Sequence, residues 1–257
     1  MDLQLYIIYF HSSKTIRLGK PYTSSVKTKC AKVTFESVPE NVWQGKGTAD
    51  SPFLLSSAED LNHLKDYVNT KGASFDGFFF KMTKDLSLPD DWVPIGALKS
   101  GESDPWNGRN IMPFSGTFDG GNHILTVPKA GLPLLGYVRY ATVKNLKIYG
   151  PQIAGYGLVN HYCVDYGPTG NYGDYTSGAS YPDMPLTVEI DHVTLLKGTK
   201  TLQSGMIGGY ASGANTVRIL NSTVEKGVTI GYDGKQSNIG SFAGWFNGTI
   251  ENCVSSA

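Results

Sequence analysis

The sequence predicts an all-β protein, a parallel β-helix (solenoid) with an N-terminal cap that contains one short α-helix. Three features predict it: a repeated pattern in the C-terminal half, many glycine-marked bends, and a helical pattern confined to one early segment. The chain has 31 Gly and 15 Tyr, and 17% of its residues are charged, which is typical of a glycine-bent β protein. The alternative is an antiparallel β-sandwich whose strands resemble one another by chance.

The repeated pattern is a Gly–aromatic pair followed by a branched residue, one further residue and Asn. It occurs in residues 134–150, 205–227 and 240–256. The Asn markers are Asn145, Asn221 and Asn252, and His192 takes this place in a degenerate copy. The last two intervals between markers are 29 and 31 residues, and an insertion lengthens the first to 47. Units of this length cannot bury an apolar face alone and must stack on their neighbours.

Each repeat predicts a bend within its strand. Val143 and Ile148 lie five positions apart, an odd spacing, so strict alternation would place them on opposite faces. If both point inward, the chain must bend near Asn145. Asn suits this place because it tolerates left-handed backbone angles and its amide can bond to the next Asn in a stack.

The N-terminal half begins with glycine turns, a short apolar strand at 53–55 and one helix. Ser57 is the predicted N-cap, with Asp60 three residues later. Leu61, Leu64 and Val68 follow at helical spacing. Because the open ends of a β-helix need cover, we expect the segment 43–90 to act as a lid.

The stretch "FSGTFDGGNHILTV" (114–127) contains two strand-like runs. They flank a glycine-rich turn at 119–122. The pattern predicts a strand, a turn and a returning strand.

Taken together, several strings resemble the GLUG-repeat proteins. They are "WQGKGT", "FFKMTKDLSL", "WVPIG" and "FSGTFDGGNHI", followed by the Gly–aromatic and Asn units. The resemblance covers 43–257, interrupted at 97–113 and 163–186. It implies a right-handed β-helix segment of a large bacterial protein that is secreted or lies at the cell surface. It implies no catalytic residue, since the family motif consists of turn and core residues.

The predicted domain organisation is an N-terminal extension, or the end of a preceding domain, at 1–42, followed by the β-helix at 43–257. Within the β-helix, 43–130 forms the cap and first coils, and 131–257 forms the repeats with the insertion 163–186. The start of the chain has no clear signal peptide. We expect further repeats or domains after Ala257, the alternative being that the last coil packs on a neighbour.

The net formal charge is zero, which argues against nucleic acid as a partner. The apolar run near the N-terminus is too short to span a membrane. The three cysteines are widely spaced and form no zinc or redox motif. No cofactor is predicted, apart from the option of Ca²⁺ on the insertion.

The candidate ligand site is the insertion 163–184, a Gly-rich loop with aromatic and acidic side chains. Tyrosine faces suit sugars, and carboxylates suit hydroxyls or Ca²⁺. The candidates are Tyr166, Tyr172, Tyr175, Tyr181, Asp165, Asp174 and Asp183, with Trp106 on a second loop. The plainer interpretation is a self-packed loop in which tyrosines cover the core, with Trp106 covering the lid.

The sequence is therefore compatible with three functions. The first is a non-catalytic extracellular module, adhesive or scaffold, which would meet a host or cell-surface protein. The second is a glycan-binding module. The third is a polysaccharide lyase or glycosidase, which needs carboxylates clustered on neighbouring coils. Against the third, Lys144, Asp191, Leu220 and Glu251 share one predicted column of mixed sign, and we expect Asp191 and His192 to face opposite ways.

If the insertion binds glycans, deleting residues 163–184 is expected to abolish binding on a glycan array, because the tyrosine and aspartate groups are removed together. The intact chain is the matched control. No binding by the intact chain, or equal binding by both proteins, would contradict this hypothesis.

Overall fold

The structure is a computed structural model, and it describes residues 8–10, 16–18, 42–103, 111–162, 188–208, 217–236, 239–244, 246 and 248–257. The chain divides into two compact units, 1–40 and 41–257. In the first unit, β1 (Ile8–Phe10) and β2 (Ile16–Leu18) form an antiparallel pair.

The second unit is mostly β, with one helix among its described residues. Its first elements are β3 (Phe53–Leu55), α1 (Ala58–Asn69), β4 (Phe79–Met82), β5 (Leu86–Ser87), β6 (Ala97–Leu98), β7 (Ile111–Met112), β8 (Thr117–Asp119) and β9 (Ile124–Thr126). The later strands are β10 (Leu135–Val138), β11 (Ala141–Tyr149), β12 (Val159–Tyr162), β13 (Val188–Leu195), β14 (Lys200–Thr201), β15 (Val217–Leu220), β16 (Thr223–Val224), β17 (Thr229–Ile230), β18 (Thr249–Glu251) and β19 (Val254–Ser255).

The principal sheet has 11 strands, with β18-β15-β13-β11-β8-β4-β3 as its main order. Every pairing within it is parallel. In the described part of 130–257 all strand pairs are parallel, including β10 with β12 and β14 with β17. The antiparallel sandwich is therefore wrong, and the chain has a mostly β fold built on a large parallel sheet.

The core lies along one face of this sheet, where each strand contributes an apolar residue in register with the next. Phe80, Phe118, Val143, Ile190 and Ile219 are all fully buried in this line. Burying one such side chain stabilises the fold by about 1.5–3 kcal/mol. The repeated branched residues of the sequence thus form one continuous apolar column.

The predicted bend at each marker is confirmed by the backbone. Asn145, His192, Asn221 and Asn252 have φ values of 51°, 53°, 47° and 53°. Val143 is 0% exposed and Ile148 1% exposed, so both point inward as the bend requires. A left-handed residue breaks the alternation of the strand, and Asn and His adopt this conformation more readily than most residues.

The predicted helix is also confirmed. The Ser57 side chain accepts a hydrogen bond from the Asp60 N–H, and Leu61, Leu64 and Val68 are buried. Helix α1 packs against β3, which ends the main order of the sheet. This placement agrees with a covering role at that end.

The predicted returning strand after the glycine turn is wrong. Strands β8 and β9 do not pair with each other; both pair in parallel with β11, one after the other along its length. Through the bend, Gly120 N–H donates to Lys144 O and Asn122 N–H donates to Asn145 O. A Cβ on Gly120 would lie 2.5 Å from Asn145 O, so glycine lets the two backbones approach and the chain continues along β11.

Replacing Ser57 with alanine is expected to lower the free energy of unfolding by about 1 kcal/mol, because the Asp60 N–H loses its acceptor. Urea denaturation followed by circular dichroism measures this. The control is Ser87→Ala at an exposed position of β5, where little change is expected. Equal shifts in the two variants would contradict the capping role.

Candidate functional site

The insertion residues Tyr166, Tyr172, Tyr175, Tyr181, Asp165, Asp174 and Asp183, and Trp106 on the second loop, lie outside the described residues. The option of Ca²⁺ depends on the same carboxylates and stays a prediction. Elsewhere, in the part of the chain that the structure describes, no group of three or more His, Cys, Asp or Glu side chains could hold a metal ion.

The structure places polar side chains together along the line of bends, and we call this line of Asp119, Asn145, Asp191, Asn221 and Asn252 the corner ladder. Asn252 Nδ2 donates to Asn221 Oδ1 at 3.3 Å. Asn221 Nδ2 donates to Asp191 Oδ1 at 2.8 Å, and Asn145 Nδ2 donates to Asp119 Oδ1 at 3.1 Å. In each case the amide donates to a residue that lies earlier in the chain, so the corner ladder has one direction.

The carboxylate of Asp191 is the centre of the corner ladder. Its Oδ1 also lies 2.8 Å from His192 Nδ1. The two groups are within hydrogen-bonding distance, and the carboxylate oxygen accepts from Nδ1 in the tautomer that carries its hydrogen there. The His192 side chain is 59% exposed and that of Asp191 27%.

The expectation that Asp191 and His192 face opposite ways is therefore wrong. Neighbouring side chains alternate only where the strand keeps extended angles. His192 has a φ of 53°, which turns its ring to the side of the preceding carboxylate. The sequence pattern already predicts a left-handed bend at each marker. The same bend at His192 predicts that its ring lies beside Asp191.

Outside the corner ladder, charged side chains face one another across adjacent strands. Arg218 Nη1 lies 3.2 Å from Glu189 Oε2, and these residues are register partners of β15 and β13. Exposed ion pairs of this kind stabilise a fold by about 0.2–1 kcal/mol.

The predicted column of mixed sign is confirmed. Lys144 pairs with Asp191, Asp191 with Leu220, and Leu220 with Glu251. The acids Asp191 and Glu251 are therefore two strands apart, separated by an aliphatic residue.

One tyrosine among the described residues has a perturbed acidity. Burial raises the pKa of the Tyr156 phenol, because a phenolate would lose solvation there. A Cβ on Gly208 would come within 2.1 Å of the Tyr156 ring. Glycine at 208 thus makes room for this ring, and Tyr156 acts as a packing residue.

No protein-family model matches the chain, and no curated protein matches it significantly. The chain is similar to a crystal structure of a proposed immunoglobulin A1 protease from Bacteroides ovatus, at 14% identity and a TM-score of 0.36, over 82% of this chain and 77% of that one. At this TM-score the likeness carries no argument about fold or activity. No helix in the described ranges is both long and apolar enough to cross a membrane.

At Asn221, we expect the glycine variant to have a higher free energy of unfolding than the alanine variant. Asn221→Gly loses the bonds to Asp191 and Asn252 but keeps the left-handed backbone. Asn221→Ala loses the same bonds and is expected to be about 1 kcal/mol less stable again, because alanine tolerates a positive φ poorly. Urea denaturation measures both.

The matched control is the same pair of substitutions at Thr223, in β16 of the next strand segment. There the order is expected to reverse, because glycine weakens an ordinary strand relative to alanine. The same order at both positions would show that the backbone at Asn221 imposes no special requirement.

Proposed function

We propose that residues 43–257 form a right-handed parallel β-helix that serves as a non-catalytic adhesive or scaffold module of a larger bacterial cell-surface protein. The coil is supported by two further lines of parallel bridges beside the principal sheet. One joins Ile95, Leu135, Val159, Ile207 and Ala243. The other includes bridges of Thr201 to Ile153 and to Ile230.

The order in which the chain visits these lines supports successive coils. From β13 in the principal sheet, the chain passes to Thr201, in the line that also contains Ile153 and Ile230. It then reaches Ile207, in the line that contains Val159 and Ala243, and returns to β15 beside β13. Parallel strands joined by a crossover are nearly always right-handed, which agrees with the sense that the GLUG resemblance implies.

The scaffold role rests on one observation: outward polar side chains are bonded to the neighbouring strand. Asn221 bonds to Asp191, and Arg218 pairs with Glu189. Such side chains hold neighbouring strands in register. Surface location and the bacterial setting rest on the resemblance to GLUG-repeat proteins.

The proposal is tested by attachment. Beads coated with the chain are expected to bind epithelial cells or immobilised host glycoproteins more than beads coated with albumin. The chain lacking 163–184 is the matched control, because it separates adhesion by the insertion from adhesion by the β-helix face. If deleting 163–184 leaves attachment unchanged, the adhesive surface lies on the β-helix face and not on the insertion.

Turnover would contradict the proposal. The chain is incubated with acidic and neutral polysaccharides, and new reducing ends and unsaturated uronates are measured. The expected result is no product from the wild type or from His192→Gln. Product from the wild type that is lost in a folded His192→Gln variant would identify an enzyme and assign a catalytic role to His192.

A further inference from the structure

Outward charges on the principal sheet alternate in sign along the line of strands before each bend. The register partners in this line are Lys81, Asp119, Lys144 and Asp191. Each lysine therefore has an acidic neighbour on an adjacent strand, and the line as a whole carries no net charge.

A second line of outward charges, beside the principal sheet, does not alternate. It lies in the segments that follow β9, β11, β13 and β16, which are 127–131, 150–154, 196–201 and 225–231. Glu225 is the one acidic residue of these segments, all of which are described. We call their four lysines the basic corner: Lys129, Lys197, Lys200 and Lys226.

Backbone hydrogen bonds stack these segments in the order of the chain. Ala130 N–H donates to Gln152 O, and Lys200 N–H donates to Gly150 O. The third and fourth segments are joined by the parallel pairing of β14 with β17. Neighbouring parallel strands lie about 4.8 Å apart, so the basic corner extends over three such spacings, about 14 Å.

The ammonium groups of the basic corner have no acidic partner among the described residues. All four lysines are exposed, and none forms an ion pair with a described residue. Glu225 Oε2 accepts from the Lys197 backbone N–H at 2.8 Å. Like charges on neighbouring strands destabilise a sheet, so a bound polyanion would relieve their repulsion.

An aromatic ring lies beside the basic corner. Tyr149 ends β11, and its register partner on β9 is Thr126. Its side chain is partly exposed, and a Cβ on Gly198 would lie 3.4 Å from the ring. Tyrosine presents an apolar face and a polar tip, which suits the apolar face of a sugar.

We propose that the basic corner and Tyr149 bind a linear acidic polysaccharide, with the glycan running across successive strands. Its carboxylate or sulfate groups, which recur along the chain, meet the lysines, and Tyr149 packs against a sugar ring. A single row of four lysines fits one extended chain, whereas nucleic acids and anionic membranes are bound by denser basic surfaces. This inference gives the proposed adhesive module its ligand, and in that respect it rests on the proposed function.

The test uses the full chain and three fluorescein-labelled glycans of equal length: chondroitin sulfate, polygalacturonate and neutral dextran. Saturable binding to an acidic glycan, and none to dextran, is the expected result in fluorescence anisotropy. The sulfated and carboxylated glycans distinguish the two sources of negative charge. Raising the salt from about 0.15 M to about 1 M is expected to abolish binding, because the Debye length falls from about 8 Å to about 3 Å.

The matched variants remove equal charge from two places. Lys197→Gln combined with Lys226→Gln is expected to weaken binding about 4- to 25-fold, since each exposed ion pair contributes a factor of roughly 2 to 5. Lys46→Gln combined with Lys84→Gln removes two exposed lysines elsewhere and is expected to bind as the wild type does. Circular dichroism of each variant shows that its fold is kept.

The role of the ring is tested without changing the charge. Tyr149→Leu is expected to weaken binding of the acidic glycan about 3- to 10-fold, because the aromatic contact is lost. Its binding is expected to keep the salt dependence of the wild type, since the four lysines remain.

Three outcomes would overturn the proposal. The first is no saturable binding of either acidic glycan by the folded chain. The second is equal loss of binding in the two double variants, which would show dependence on net charge alone. The third is single-stranded DNA that binds more tightly than the glycans and depends on the same lysines, which would assign the basic corner to nucleic acid.

Failure of this inference is distinguishable from failure of the proposed function. Glycan binding by a chain whose coated beads do not attach would keep the basic corner as a ligand site and reject the adhesive role. Attachment of beads by a chain that binds neither acidic glycan would keep the adhesive role and overturn this inference.

Discussion

The fold depends on one backbone constraint, a left-handed residue in the middle of each long strand segment. Val143 and Leu146 are both fully buried although they lie three residues apart, and strict alternation would send one of them into solvent. The φ of 51° at Asn145 turns the chain so that both face the core. The same device recurs at His192, Asn221 and Asn252, and it gives the apolar column its continuity across the sheet.

The identity of the marker residue follows from two demands that meet at the bend. The backbone demand favours Gly, Asn, Asp or His, because β-branched and bulky residues are strained at positive φ. The second demand comes from the neighbouring strand, which presents a side-chain oxygen, such as Asp191 Oδ1 to Asn221. Asn meets both, whereas glycine would meet only the first. His192 meets them differently, by bonding to the carboxylate that precedes it in the chain.

Parallel pairing explains why outward polar groups become partners of one another. Each strand repeats the register of the strand before it, so a residue type placed outward in one repeat meets its counterpart in the next. Glu189 meets Arg218, and Asn221 meets Asn252. Along the same register, the buried Ile219 of β15 is paired with Ile250 of β18, which is exposed. In a surface built in this way, outward polar side chains are held in place by their partners on the neighbouring strand.

Local sequence by itself determined the helix and the bends. Ser57 and its apolar residues at helical spacing act within one turn or two, and the left-handed preference of Asn145 acts within a single residue, so no distant partner is needed to predict them. Only the tertiary structure decided where strands pair and which side chains meet. The glycine turn at 119–122 looked like a hairpin because turn residues are the same in both cases. The backbone bonds of Gly120 and Asn122 to β11 made it a bend within a parallel arrangement instead. In the same way, the bond from Asn221 to Asp191 joins residues 30 positions apart, and only the register of two stacked strands brings them together.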